Sequence, residues 1–254
     1  MRWNFSSFIT IIISLFLFSC ESKSKQNCDN RINSKSIFSE YSKLFYKEDT
    51  VCKPQLKVLT WNLHDLGKSK SAQELLEISR IMKYYYIVAI QEVVAIDIKG
   101  AQAVAKIAGN LNRMGSKWDY RISNPTNSPS SNSSERYAYI WETSKLSLLS
   151  KPYLDAELDS VCVREPFIGQ FRSNKGNDTI YFINVHSQVS REFPKYKITY
   201  FKDYPSRLQS ENIIILGDFN LDEKHNVWKS LDSIGFSPSI RNAPTSLKIK
   251  CNKG

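Results

Sequence analysis

Apolar positions along this chain repeat with two different periods. Leu56-Lys57-Val58-Leu59-Thr60-Trp61-Asn62 alternates and is β-prone, which predicts a first strand. From Ser71 to Lys83 the period lengthens. Leu75, Leu76, Ser79 and Met82 share one helical face, and Ser71 with Glu74 has the spacing of a capping box. Tyr85 to Ile90 is an unbroken apolar run ending at Gln91-Glu92, as a buried strand does. An Ala-rich helix over Lys99–Met114 closes at Gly115. Strands are predicted over Trp118–Ser123, Arg136–Glu142 and Leu146–Ser150, with residues 124–134, nearly all Ser, Asn and Pro, as a loop. Phe167–Arg172 and Thr179–Val185 pair as a hairpin across Asn174-Lys175-Gly176-Asn177-Asp178. Tyr196–Leu208 reads as a helix bent near Pro205. Ile213-Ile214-Ile215-Leu216 is another buried strand, and His225–Ile234 a helix with Val227, Trp228 and Leu231 on one face. A short helix over Ser36–Tyr46 precedes all of these. Helices and strands alternate, but hairpins intrude in the middle. That order predicts α/β sheets packed on each other with helices outside, rather than one parallel sheet.

The amino terminus follows a different pattern. Arg2 is followed by an apolar run, Phe8–Phe18, broken only by Thr10 and Ser14 and too short to cross a bilayer. Leu17-Phe18-Ser19-Cys20 and the polar residues after it resemble a bacterial lipoprotein signal, which implies lipidation at Cys20. A plain secretory signal or an uncleaved anchor fits the same stretch, and all three place the protein outside the cytoplasm. The expected division is a signal peptide at 1–19, a tether and lead-in at 20–54, and one domain at 55–254, with no membrane span in the mature chain. Besides Cys20, Cys28, Cys52, Cys162 and Cys251 form an even set suited to disulfides. Cys28–Cys52 is the preferred pair and free thiols are the alternative. A formal charge of +10 favours a polyanionic partner, and 13 Phe with 13 Tyr suffice for a large core.

Four strands end in polar residues of one chemical kind: Trp61-Asn62, Gln91-Glu92, Asn184-Val185-His186 and Gly217-Asp218-Phe219-Asn220. A carboxylate with a carboxamide at a strand end can bind a hard cation, a phosphate or an attacking water. It equally makes a turn. Together with Leu59-Thr60-Trp61-Asn62-Leu63, Gln91-Glu92-Val93, Glu135-Arg136-Tyr137-Ala138-Tyr139, Arg164-Glu165-Pro166-Phe167 and Asn184-Val185-His186-Ser187, these motifs resemble the endonuclease/exonuclease/phosphatase superfamily. They occur in that family's order, over about residues 56 to 245, and are most similar to its deoxyribonuclease I-like branch.

The resemblance implies a four-layer α/β/β/α sandwich with the active site at one edge. It implies Glu92 as principal carboxylate for Mg²⁺, with Ca²⁺ and Mn²⁺ as substitutes, and Asn62 as its helper at the metal or a phosphate oxygen. His186 corresponds to the general acid. Asp218 and Asn220 correspond to the pair that holds the scissile phosphate and polarises the attacking water, unless Asp218 carries a second metal. Arg164 would grip backbone phosphate, Tyr137 would lie against the sugar-phosphate chain, and Thr245 would support the phosphate site. His64 and His225 are read as surface residues. The family also carries an Asp-His pair on one further strand. Here no His follows His225, so that strand and its His are expected to be missing, whether by truncation, as a natural short form or by degeneration.

The expected activity is that of an exported, lipid-anchored, monomeric phosphodiesterase hydrolysing DNA with a divalent metal. The alternative is a catalytically inactive surface lipoprotein that holds DNA or another polyanion. A phospholipid phosphodiesterase ranks third, because Arg164-Glu165-Pro166-Phe167 argues against it.

Overall fold

The computed structural model describes residues 56–129, 133–187 and 197–241. The first strand, β1 (Val58–Leu66), leads through helix α1 (Ala72–Met82) to β2 (Ile87–Val94), and helix α2 (Ile98–Asn112) leads on to β3 (Trp118–Ile122) and β4 (Glu135–Glu142). These strands form one sheet in the order β1-β2-β4-β3. β1 and β2 are parallel, and the other pairs antiparallel. The second sheet contains β5 (Leu146–Leu148), β6 (Tyr153–Leu154), β7 (Phe167–Ser173), β8 (Thr179–His186) and β9 (Ile213–Asp218). Its order is β5-β7-β8-β9, with β6 also on β7, and β8 and β9 run parallel. Two short helices, α3 (Tyr204–Leu208) and α4 (Lys229–Asp232), belong to this half.

Strand alternation sorts the side chains into layers. On β1, β2 and β4, Leu59, Trp61, Val88, Ile90, Ala138 and Ile140 pack under α1 and α2. On β8 and β9, Ile183, Val185, Ile213 and Ile215 pack under Phe201, Tyr204, Trp228 and Leu231. The opposite faces meet each other. Tyr139 stacks on Phe167 at 5.1 Å between ring centres, and Trp141 meets Phe171 edge-on at 5.2 Å. The four-layer α/β/β/α sandwich expected from the sequence is therefore observed.

Several local expectations hold. Ser71 caps α1 in a full capping box with Glu74. The buried face of that helix is Leu75, Ile78, Ser79 and Met82, with Ile78 in the place expected for Leu76. Others change. The segment before β9 is a 3-10 turn, Thr199–Asp203, followed by α3. Pro205 lies in the first turn of α3, where its missing N–H costs nothing, so it begins a helix instead of bending one. The predicted helix at 225–234 is divided between a 3-10 turn, Asn226–Trp228, and α4. Cys162 is a free, buried thiol, and burial pushes its pKa up to about 12. Cys20, the Cys28–Cys52 pair, the 36–46 helix and Thr245 lie outside the described residues. Among the described residues no helix is long and apolar enough to cross a membrane.

Candidate active site

The inner faces turn polar at one edge of the sandwich. Asn62 on β1, Glu92 on β2, Glu135 on β4, His186 on β8 and Asp218 on β9 meet there. Pairing explains why. β1 and β2 run parallel with Asn62 opposite Gln91, and β8 and β9 run parallel with His186 opposite Asp218. Both parallel pairs therefore deliver their carboxyl ends to the same edge.

Two irregularities aim the side chains. Register shifts between Asn62 and Leu66 on β1, and between Ile90 and Val93 on β2. Such bulges turn a side chain out of the pleat. His64, Asp65, Glu92 and Asn220 all take positive φ, between 38° and 58°, a conformation non-glycine residues rarely adopt. Strain of this kind gathers at functional sites, where surrounding contacts hold it in place. The Gly217 of the Gly-Asp-Phe-Asn stretch is required by geometry. Its φ is 146°, and a Cβ there would lie 1.8 Å from the Val185 carbonyl oxygen on the adjacent strand.

Asn62 braces the two acids. Its amide nitrogen donates to Glu92 Oε1 at 2.7 Å and to Asp218 Oδ2 at 3.0 Å, while its Oδ1 accepts from the His64 backbone N–H at 3.0 Å. Asn62 therefore positions both carboxylates, and its oxygen keeps one lone pair beyond the His64 bond. Glu92 also meets His64 Nδ1 at 3.0 Å, and its Oε1 is 3.8 Å from His186 Nε2. Burial opposes its charge most strongly, but the Asn62 bond, His186 and His64 together outweigh it and hold the carboxyl below its usual range. His64, expected only at the surface, is exposed yet belongs to the rim of the site. Asp218 Oδ1 accepts from the Asn220 N–H at 3.0 Å, and Asn220 Nδ2 donates to the Ser187 carbonyl at 2.8 Å.

His186 is held from both sides. Its Nδ1 lies 2.9 Å from both oxygens of Glu135, and its backbone N–H donates to the Tyr137 hydroxyl at 3.2 Å. Desolvation by burial works against the charged ring, but the Glu135 carboxylate more than compensates, so the His186 pKa rises above its ordinary value. Arg164 Nε pairs with Glu135 at 3.0 Å on the far side and also donates to the Ser133 carbonyl at 3.2 Å.

Tyr137 requires a correction. It was expected against a sugar-phosphate chain, but it is completely buried, stacked near Phe167 at 6.3 Å, with its hydroxyl turned to His186. Its position on β4 places it between the sheets, because odd-numbered residues of that strand face inward. Glu135 belongs to the site although the Glu-Arg-Tyr-Ala-Tyr motif by itself gives it no role. The signal was its even spacing from Tyr137 at the start of the same strand. Glu165 was likewise missed. It is buried and accepts the Asn127 N–H on both oxygens, at 3.0 and 2.9 Å, tying the Ser/Asn-rich loop to the segment that carries Arg164. No sequence period marks that contact. His225 caps its 3-10 turn, with Nδ1 accepting from the Val227 N–H, away from the site.

A divalent ion fits this chemistry in a restricted way. Among the described residues no cluster of three or more His, Cys, Asp or Glu side chains is spaced to enclose an ion. Glu92 and Asp218 supply two carboxylates that share the Asn62 amide. Mg²⁺ suits such a set, because it keeps several waters and takes only one or two carboxylates from the protein.

Known proteins share the fold and part of the sequence. A protein of the endonuclease/exonuclease/phosphatase family from Bacteroides thetaiotaomicron superposes with a TM-score of 0.53 at 18% identity, covering 71% of this chain and 69% of its own. The fold is therefore that of the endonuclease/exonuclease/phosphatase superfamily. A deoxyribonuclease-1-like 1 protein of Sus scrofa is 32% identical over 184 residues, covering 70% of this chain and 57% of the relative. Deoxyribonuclease-1 of Gallus gallus is 26% identical over 176 residues, covering 66% of this chain and 61% of the relative. No family model matches. These relatives support the deoxyribonuclease I-like branch of the superfamily, and the chain spans about three-fifths of their length.

Proposed function

We propose that this chain is a divalent-metal-dependent phosphodiesterase that hydrolyses DNA, working at the edge where Asn62, Glu92, His186 and Asp218 converge. One observation carries the reading. A histidine with a raised pKa, clamped by Glu135, faces two carboxylates that share an amide, at the ends of parallel strands from both sheets. Such a set supports in-line attack on a phosphodiester, with an acid on one side and a carboxylate on the other. Asp218 accepts a proton from the attacking water, and Asn220 lies beside it. The water oxygen forms the new bond to phosphorus as the P–O3′ bond breaks, and His186 gives its proton to the departing oxygen. Glu135 keeps the ring charged and oriented until then. Arg164 presents a guanidinium to the phosphate charge. Glu92 would hold a Mg²⁺ ion, which would supply Lewis-acid stabilisation of that charge. Ca²⁺ and Mn²⁺ are the expected substitutes.

The proposal extends to location and partners. Export through residues 1–19, a lipid at Cys20, a membrane-held monomer and a DNA substrate rest on the signal pattern, on the +10 charge and on the relatives' names. The deciding experiment is nicking of supercoiled plasmid with Mg²⁺, with and without EDTA, by wild type and His186→Ala. Nicking that needs the metal and falls with the variant supports the reading. Nicking unchanged in the variant overturns the mechanism, and no nicking with any divalent ion overturns the activity.

A further inference from the structure

Resting on that reading of the site, we infer that Gln91 and Asn184 form a buried amide clasp that fixes the alignment of the two sheets, and so the spacing of Glu92 and His186. Gln91 precedes Glu92 on β2, and Asn184 lies two residues before His186 on β8. Their side chains meet between the sheets. Gln91 Nε2 donates to Asn184 Oδ1 at 2.6 Å and to Thr60 Oγ1 at 2.9 Å, and Asn184 Nδ2 donates to the Ile90 carbonyl at 3.1 Å. Gln91 is 1% exposed, and Thr60 and Asn184 not at all.

Apolar packing between two sheet faces is non-directional and tolerates a slide along the strands. A buried amide pair does not. A slide would leave donors and acceptors unpaired in a dry interior, costing far more than the net value of the bonds. Other links cross the same seam. Tyr139 donates to both the Phe167 and Phe182 carbonyls, at 2.7 and 2.8 Å, and Asn62 reaches Asp218. Glu135 and Tyr137 of β4 also reach His186. Among the described residues, the Gln91–Asn184 clasp joins the two strands that carry Glu92 and His186 themselves, whose Oε1 and Nε2 lie 3.8 Å apart across the sheets. Neither amide is placed to touch substrate, so both are positioning residues. A displacement of about 1 Å between reacting groups costs on the order of 100-fold in rate.

The test separates positioning from mere stability. Gln91→Leu/Asn184→Leu replaces both partners with apolar side chains of similar size, which leaves few orphaned groups and preserves folding. The expected result is a Tm close to wild type, an unchanged KM for DNA, and a kcat lower by about 10- to 100-fold. A crystal structure of this variant should show the Glu92–His186 separation altered by about 1 Å. The exchange variant Gln91→Asn/Asn184→Gln keeps both amides and the total volume, and should recover part of the lost kcat. It also serves as the test if the apolar pair does not fold, since its partial loss of kcat at wild-type KM is then the expected reading. A foldable apolar pair with wild-type kcat and an unaltered separation overturns the inference, as does an exchange variant indistinguishable from wild type where the apolar pair does not fold. If wild type cleaves nothing, the phosphodiesterase reading fails, and the crystallographic separation still decides for or against the clasp.

Discussion

At the scale of single residues, His186 is the centre of the site, and its partners set what it can do. Removing it as general acid should lower nicking by about 10²- to 10⁴-fold. Its raised pKa also fixes a sign. The stability gained from the charged ring beside Glu135 is fully present below the ordinary histidine value of 6.5, and is lost as pH rises through the higher folded value. In Glu135→Gln that gain is absent. Melting temperature measured against pH should therefore show wild type ahead of the variant at acid pH, with the gap closing above 6.5. A constant gap would remove the linkage. Tyr137 gives a contrasting test. Tyr137→Phe deletes only the acceptor for the His186 N–H, so it should cost about 1 kcal/mol, or roughly 2–4 °C in Tm. A variant that instead lost DNA affinity at unchanged Tm would return Tyr137 to the substrate surface.

At the scale of elements, the site depends on where strands stop and how closely they approach. β9 ends at Gly217-Asp218 against β8 with no room for a side chain at position 217. Gly217→Ala must move Val185 or break the pairing, and it also forces a strained φ. Its expected cost is more than about 2 kcal/mol, seen as a lower denaturation midpoint with m unchanged. Ser71→Ala tests the other half of the molecule. It removes the capping-box acceptor from α1 and should cost about 1 kcal/mol without altering kcat, since α1 reaches the site only through the core. A large activity loss there would mean that α1 acts on the site directly. These two elements also show what was legible in advance. The α1 cap was written in the Ser-x-x-Glu spacing. The clash at Gly217 was not, because nothing in the sequence says that Val185 lies against it.

At the scale of the whole molecule, net charge and the proposed metal carry the predictions. With 35 Lys and Arg against 25 Asp and Glu, binding to DNA should weaken steeply with salt. Each phosphate neutralised contributes a slope of about −0.9 in log K against log salt concentration. A filter-binding series from low to moderate salt reads that slope directly, and a flat line would remove DNA from the list of partners. Chelation should abolish turnover while leaving the fold intact. The proposed metal would rest on Glu92 at the site's edge, whereas the described sandwich is held by apolar clusters and interlayer aromatic contacts.

The sequence by itself determined the elements and the chemistry. Period-two runs marked the strands, period-3.6 runs marked the helices, and polar residues at strand ends marked the site. Each depends only on neighbours along the chain. Tertiary structure decided which groups meet. Glu135 and Tyr137 sit 51 and 49 residues from His186, and Asn62 sits 156 from Asp218. Such pairs come together only because two parallel strand pairs, one in each sheet, end at the same edge. The same packing turned Tyr137 from an expected substrate contact into a buried support, since sandwich burial depends on the facing sheet and not on the residue's own strand. It also made Asn62 a brace between Glu92 and Asp218, because the direction of its amide is set by the carboxylates that fold around it.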